Sequence, residues 1–542
     1  MTRLFGGMIM KLFNTAYLKP RRTLCICDDG SEILYQELLD TAEIYRKEVG
    51  HEMVFILCRN TPGSLLGYLG CLAGGAAALL LDADMEPELF SSLYGCYRPG
   101  WICVPSTDAE KMMNTVSLGQ IESEKHNNES GDTSPDPAEE KTASENRPLP
   151  QLKTVAVFRD SLLIRTGESG PELHPDLCLL LTTSGSTGSP KLVRISRKNL
   201  DANTESIVEY LEINENERPI TTLPMNYSYG MSIINTHVFC GAKILLTQYS
   251  LMEHGFWKCL VDKRATSIAG VPYTYKMLDR MGLIRQNPPA LRTLLQAGGK
   301  LPVELHHMFG SWCLETGRRF FVMYGQTEAS PRMGYLPAAR TMEKCGSMGI
   351  AIPGGRLVLI DEEGKEIDRP DVVGELVYYG DNVSMGYAQC REDLTKGDEF
   401  GGVLKTGDMA RMDEDRYFYI VGRRKRFIKM AGKRLSLDET ERLLGTFFPE
   451  EIACTGRDNH LEIYVCGADD VRLDEITRKL SDTIHVAQSM VTAYSIPEIP
   501  RNDAGKVRYA ALGEKSKEKI YAQRKGDVRD PERECPEHRK KR

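Results

Sequence analysis

The sequence predicts an α/β protein: a large N-terminal domain of helix-covered sheets, residues 1–421, then a small C-terminal α+β domain, residues 422–512. Three observations carry this. A chain of 542 residues, 41% hydrophobic and 27% charged, can bury large cores and is long for a single domain. From residue 20 to 105, helix-like and strand-like stretches alternate, the pattern of a parallel sheet covered by helices. Near residue 421 the strand-like YFYIVG gives way to a basic run and a shorter set of mixed elements.

Each element follows from local pattern. The opening MTRLFGGMIMKLF has an apolar patch broken by Lys11 and no small-residue cleavage site, which argues against a secretion signal. Residues 31–48 are amphipathic, with Leu34, Leu38, Leu39, Ala42 and Tyr45 in near-helical register, and residues 54–58 form a short apolar strand. Residues 64–81, SLLGYLGCLAGGAAALLL, carry no charge. A bilayer span, with Gly70 and Gly74 as a Gly-x-x-x-Gly pair, is one reading. The better one is a helix, a turn at Gly74 and Gly75, and a strand ending at Asp82, with no transmembrane segment. From 106 to 151 aliphatic residues nearly vanish and the reading is a disordered insertion. Residues 513–542 are equally polar, end on a basic cluster, and read as a solvated tail.

The net charge of −7 and pI of about 5.9 argue against nucleic acid as a main partner. Fifteen cysteines follow no repeated Cys-x-x-Cys spacing, which speaks against a zinc or disulfide framework and for a reducing cytoplasm.

Residues 180–191, LLTTSGSTGSPK, are the most informative stretch. Leu179 to Leu181 form a buried strand. The small and hydroxylated residues Thr183, Ser184, Gly185, Ser186, Thr187 and Gly188 leave backbone N–H groups free to close around a polyphosphate. Glycines allow the close approach, and Lys191 adds a point charge. This is not a Walker A loop, because Lys191 follows Pro190 and precedes Leu192.

The order Thr-Ser-Gly-Ser-Thr-Gly-x-Pro-Lys resembles the signature loop of the adenylate-forming superfamily, which comprises acyl-CoA synthetases, adenylation domains of peptide synthetases, and luciferases. Further segments resemble its other motifs in the same order: QAGGKLP at 296–302, MYGQTE at 323–328, KTGDMA at 405–410, GRRKRFIKMAGKRLSLDETE at 422–441 and IPRNDAGKV at 499–507. The resemblance runs from about residue 20 to about residue 512 and implies that the small domain is mobile.

It also implies roles. The loop and Lys191 would hold the β- and γ-phosphates of ATP, Thr327 the α-phosphate, and Glu328 a Mg²⁺ ion. Tyr324, with Gly325 and Gln326, would face the adenine opposite the backbone of Gly298, Gly299 and Lys300, while Asp408 would take the ribose and Arg423 the ribose or a phosphate. Val322 departs from the Asn or Gln often found two positions before the tyrosine. Lys506 would bridge the attacking carboxylate and the α-phosphate. Lys425 would be the hinge, followed by Arg426 where an acidic residue is usual. Gly432 would let a pantetheine arm pass.

Residues 223–246 match the acyl-pocket helix and strand, with Tyr227 where His is common and no Asp to hold an α-ammonium group. The expected pocket walls are Tyr227, Tyr229, Met231, Val271, Tyr273, Ala297, Gly325, Ser330 and Met333, which suit a non-amino organic acid or a short to medium acyl chain. The resemblance therefore implies an acid-thiol ligase that forms acyl-AMP from ATP, releases pyrophosphate, and transfers the acyl group to CoA. The alternative is an enzyme that adenylates an acyl or amino acid, as D-alanine-type ligases of the superfamily do, and loads the phosphopantetheine of an acyl or peptidyl carrier protein. A nucleotide-binding module without catalysis would be expected to have lost Lys506, Glu328 or the cradle, and all three are present.

Overall fold

The structure, a computed structural model, describes residues 10–112, 152–182, 191–430, 433–484, 486–501, 507–509 and 511–512, leaving aside the side chains of Lys425, Lys433 and Arg434. It divides into two compact units, one of residues up to Thr406 with Ala410–Ile420, the other of Gly407–Met409 with the chain from Val421 onward.

The first unit is built on two large sheets. In the eight-stranded sheet the order is Gly386–Ala388, Leu192–Ser196, Leu177–Thr182, Ala77–Asp82, Met53–Cys58, Trp101–Pro105, Ser161–Arg165 and Lys153–Phe158. Its centre is parallel. Such strands are covered on both faces, so they read as continuous apolar runs. Alternation along the strand sends successive residues to opposite layers: Val54 and Ile56 join one core cluster, Met53, Phe55 and Leu57 another.

The nine-stranded sheet shows the same division, with Phe320 and Val322 on one face and Phe321 and Met323 on the other. Its central parallel strands include Ser267–Gly270, Thr293–Gln296 and Arg319–Gly325. The helices Tyr35–Ile44, Pro62–Gly74 and Ser228–Phe239 contribute to the core that both sheets share. A third sheet, of five strands, runs in the order Glu366–Ile367, Arg356–Ile360, Gly374–Tyr379, Val403–Met412 and Phe418–Arg423.

The charge-free run resolves as the second reading. The helix Pro62–Gly74 is capped by Thr61 at its start and by Gly75, at φ 90°, at its end; the strand Ala77–Asp82 follows. Gly70 and Gly74 serve close helix packing: a Cβ would meet Thr41 Cγ2 at 2.4 Å and Tyr45 Cβ at 2.5 Å respectively. Among the described residues no helix is long and apolar enough to cross a membrane.

Two expectations need correction. The amphipathic stretch from 31 begins as the strand Glu32–Leu34 and turns helical only at Tyr35, because the edge of the nine-stranded sheet pairs it with Thr23–Ile26. The polar insertion starts later than 106. Residues 109–112 are helical, and Ala109 and Met112 pack into the cluster beneath Phe90. The rest of the insertion, from 113, and the tail from 513 lie outside the described residues.

The second unit is α+β. A hairpin of Phe427–Met430 and Lys433–Ser436 accompanies a three-stranded sheet of Ile452–Arg457, His460–Cys466 and Val491–Ile496, with the helices Leu437–Phe447 and Asp470–Ile484. Arg426 anchors it. Its guanidinium meets Asp438 at 2.5 Å and Glu441 at 2.7 Å, donates to the Cys454 carbonyl, and lies 3.5 Å from the Tyr509 ring centroid. The departure from an acidic residue thus builds an ion cluster inside this unit.

His237, on the helix Ser228–Phe239, is 2% exposed, and the Ile233 carbonyl accepts from its Nδ1 at 2.7 Å. Burial pulls its pKa down from 6.5 to about 4, so the native state holds it neutral while the unfolded chain takes up a proton. The contribution is whole above pH about 6.5 and is lost as pH falls toward 4, on the order of 3 kcal/mol. We expect urea midpoints to drop between pH 7 and pH 5 (roughly spanning the unfolded-state value) more steeply for the wild type than for His237→Gln.

Candidate active site

The Tyr-Gly-Gln-Thr-Glu segment ends the strand Arg319–Gly325 and enters the 3₁₀ turn Thr327–Ala329. The chain then doubles back into the strand Arg332–Leu336 so tightly that a Cβ on Gly325 would meet the Pro331 carbonyl oxygen at 1.9 Å. Only glycine permits that approach. The turn is pinned from outside: Asn382 Nδ2 donates to the carbonyls of Ala329 at 2.7 Å and Arg332 at 2.9 Å, and Ser384 N donates to the Glu328 carbonyl at 2.9 Å. The Thr327 hydroxyl lies 3.2 Å from that of Ser228, which opens the helix Ser228–Phe239.

A residue that sequence reasoning missed joins the two ends of the site. Tyr387, on the edge strand Gly386–Ala388, donates its hydroxyl to Glu328 Oε1 at 2.9 Å. The Lys191 ammonium lies 4.8 Å from the same ring's centroid. Burial first, and the Glu328 charge second, push the Tyr387 pKa well up, so the phenol stays a donor. Its segment is held by Arg194, which is fully buried and bonds to the carbonyls of Tyr387 at 3.0 Å and Met385 at 3.2 Å, to that of Lys396, and to Glu399 at 2.5 Å. No local motif marks Tyr387, because its partners stand 59 and 196 positions away, at Glu328 and Lys191.

Gly298 has φ 81° and a Cβ there would meet Tyr227 Oη at 2.7 Å and Val271 Cγ1 at 2.9 Å. Gln296 Nε2 donates to the Gly299 carbonyl at 2.9 Å, and Lys300 Nζ to that of Ile420 at 3.3 Å. Gln326 Nε2 reaches the Thr406 carbonyl at 3.0 Å.

Of the expected pocket walls, Tyr229, Val271, Ala297 and Met333 share one core cluster, with Tyr227 and Tyr324 packed against it. Ser330 is buried just beyond the turn. Gly325 ends the strand before the turn, but the structure does not bring Met231 and Tyr273 here. Met231 stands two positions from Tyr229 on the helix and so packs on another side, with the core between the large sheets. Tyr273 is 59% exposed on the helix Pro272–Arg280.

In the second unit Asp408 Oδ1 lies 3.2 Å from Arg423 Nε, with the carboxylate nearly buried, and Lys425 falls in the 3₁₀ turn Arg424–Arg426. Thr183, Ser184, Gly185, Ser186, Thr187, Gly188, Gly432 and Lys506 lie outside the described residues.

Among the described residues no group of three or more His, Cys, Asp or Glu could by itself hold a metal ion. Glu328, with one carboxylate oxygen engaged by Tyr387, fits a Mg²⁺ that takes most of its ligands from phosphate and water.

Comparison with known proteins identifies the family. The AMP-binding enzyme family matches residues 12–388, and the chain belongs to that family. It is 32% identical over 270 residues to a feruloyl-CoA synthase from Amycolatopsis, an alignment covering 49% of this chain and 53% of that protein. The chain thus spans about half the length of that relative. A 2-succinylbenzoate–CoA ligase from Oceanobacillus iheyensis is 24% identical, over 93% of this chain and 98% of its own. The fold matches that of an O-succinylbenzoate coenzyme A synthetase from Bacillus subtilis in complex with AMP, with a TM-score of 0.68, 20% identity, and coverage of 92% and 97%.

The contacts of Tyr387 predict a separable effect. Tyr387→Phe keeps the ring beside Lys191 and removes the bond to Glu328, so the Mg²⁺-dependent part of ATP affinity should fall about tenfold, the value of one hydrogen bond to a charged group. Tyr387→Ala should also weaken binding of ATP without Mg²⁺. Calorimetric titration with and without Mg²⁺ checks both.

Proposed function

We propose that this chain activates a carboxylic acid with ATP and Mg²⁺, forming acyl-AMP and pyrophosphate, and passes the acyl group to the thiol of CoA. The observation that carries the reading is the meeting of Lys191 and Glu328 on one phenol ring, with Thr327 at the adjoining turn. A cation, a lone carboxylate and a hydroxyl donor so placed suit a triphosphate rather than a neutral ligand.

In this reaction the acid's carboxylate oxygen attacks the α-phosphorus and the bond to pyrophosphate breaks. Charge builds on the phosphate oxygens, and the protein's part is to position and to offset it. The loop from Thr183 to Gly188 and Lys191 would bind the β- and γ-phosphates. Thr327 would donate to the α-phosphate. Glu328, fixed by Tyr387, would hold the Mg²⁺ that neutralises phosphate charge. Tyr324, Gly325 and Gln326, with the backbone of Gly298, Gly299 and Lys300, would take the adenine, and Asp408 with Arg423 the ribose. Lys506 would bridge the attacking oxygen and the α-phosphate, Lys425 would serve as hinge, and Gly432 would leave room for the pantetheine arm.

For the acid, Tyr227, Tyr229, Val271, Ala297, Ser330 and Met333 would form the walls, as suits a non-amino acid. Several relatives are named for CoA ligation, which supports CoA over a carrier protein as acceptor. All described cysteines are free, in keeping with a reducing cytoplasm.

The test is pyrophosphate release from ATP across a panel of acids, with and without CoA. Acid-dependent release accelerated by CoA, with a thioester formed, supports the reading. Release indifferent to CoA transfers the second step to a carrier protein, and no release with any acid sinks the proposal. Lys506→Ala should nearly abolish adenylate formation and leave transfer from supplied acyl-adenylate largely intact. Gly432→Leu should do the reverse, with adenylate accumulating and thioester absent by chromatography.

A further inference from the structure

Beside the expected acyl-pocket residue Tyr229 lies a buried cation that no acid pairs with among the described residues. Arg332 begins the strand Arg332–Leu336 and is 1% exposed. Its guanidinium carbon lies 4.5 Å from the centroid of the Tyr229 ring. Its Nη1 donates to the Tyr210 hydroxyl at 3.1 Å and to the Met323 sulfur at 2.7 Å, and its Nη2 to the Ser232 hydroxyl at 3.2 Å. Every one of these acceptors is neutral. Nε is buried without an acceptor, and two residues earlier the buried Ser330 hydroxyl also lacks a partner. Among the described residues no Asp or Glu forms an ion pair with Arg332. The other large buried arginine, Arg194, ends on Glu399 at 2.5 Å.

Holding an unpaired guanidinium in the interior costs several kcal/mol, of which an aromatic face and neutral acceptors return only part. Five N–H donors in a rigid fork suit a carboxylate best. Placement ties this cation to the reaction. Ser228 touches Thr327, and Ser232, one turn further along the same helix, touches Arg332. The two serines stand roughly 6 Å apart along the helix axis, and the Tyr229 ring that Arg332 contacts belongs to the apolar cluster of Val271, Ala297 and Met333.

We propose that Arg332, with the Ser330 hydroxyl, receives a second carboxylate of the substrate, so that the acid activated is a dicarboxylic acid whose far carboxylate pairs with this arginine. The inference rests on the adenylation reading above. Arg332 then acts as a specificity residue, because it selects the acid and takes no part in the bond changes at phosphorus.

The experiment is acid-dependent ATP–pyrophosphate exchange with aliphatic dicarboxylic acids of roughly four to eight carbons, a reach compatible with that spacing, and with aromatic dicarboxylic acids. Each is compared with its monomethyl ester, which has the same length and one charge fewer, and a set of plain monocarboxylic acids is included. The wild type should favour at least one diacid over its ester by about a hundredfold in kcat/KM, as expected for a desolvated charge pair. Arg332→Met should erase that preference and Arg332→Lys should keep its direction. Esters used as well as diacids by the wild type would overturn the inference and leave adenylation standing, as would equal losses for both acid classes in Arg332→Met. Exchange with no acid of any class would remove the adenylation reading and this inference with it. Should Arg332→Met fail to fold, the wild-type comparison of diacid with ester decides alone.

Discussion

The buried guanidinium of Arg194 is the contact on which the candidate site depends. It stands on the strand that follows Lys191 and bonds to three backbone carbonyls and one carboxylate between Met385 and Glu399. A charge so far from water is tolerable only when fully paired, so the segment it grips has little freedom. That grip seats Tyr387 where one phenol serves both Glu328 and Lys191. A tyrosine on an edge strand with no such tether would leave the carboxylate to find its own rotamer.

The layers explain why the functional residues lie where they do. Parallel strands end together, and the turns that leave them collect at one edge, where ligands bind in open α/β sheets. The strands Thr293–Gln296 and Arg319–Gly325 are neighbours in the nine-stranded sheet, so the turns at Gly298 and Thr327 are neighbours too. Ser228–Phe239 brings its first turn to the same place. The two arginines at the ends of this region differ in kind: Arg194 is spent on structure, and Arg332 keeps hydrogen-bonding capacity that no carboxylate among the described residues takes up.

Local signals were legible in the sequence wherever one segment holds the whole message. The Tyr-Gly-Gln-Thr-Glu run, the Gly-Gly turn before Leu301 and the split at Gly74 and Gly75 each depend on backbone needs that neighbouring residues reveal. The grouping of the expected wall residues was legible only in part. Met231 and Tyr273 belong to the right segments, but a helix sends side chains at i and i+2 to different sides, and the facing side is set by packing. Tyr387, Arg194 and Arg332 gave no signal, since each gains its meaning from residues between 9 and 205 positions distant.

Sequence by itself determined the alternation of helices and strands, the place of the Thr-Glu pair at the end of a strand, and the change of character near residue 421, because these follow from periodicity, turn chemistry and short motifs. Only the tertiary structure decided which polar groups are buried, which of them find partners, and which core each side of the Ser228–Phe239 helix joins. Burial and pairing are properties of contacts between distant segments, and no local pattern along the chain encodes them.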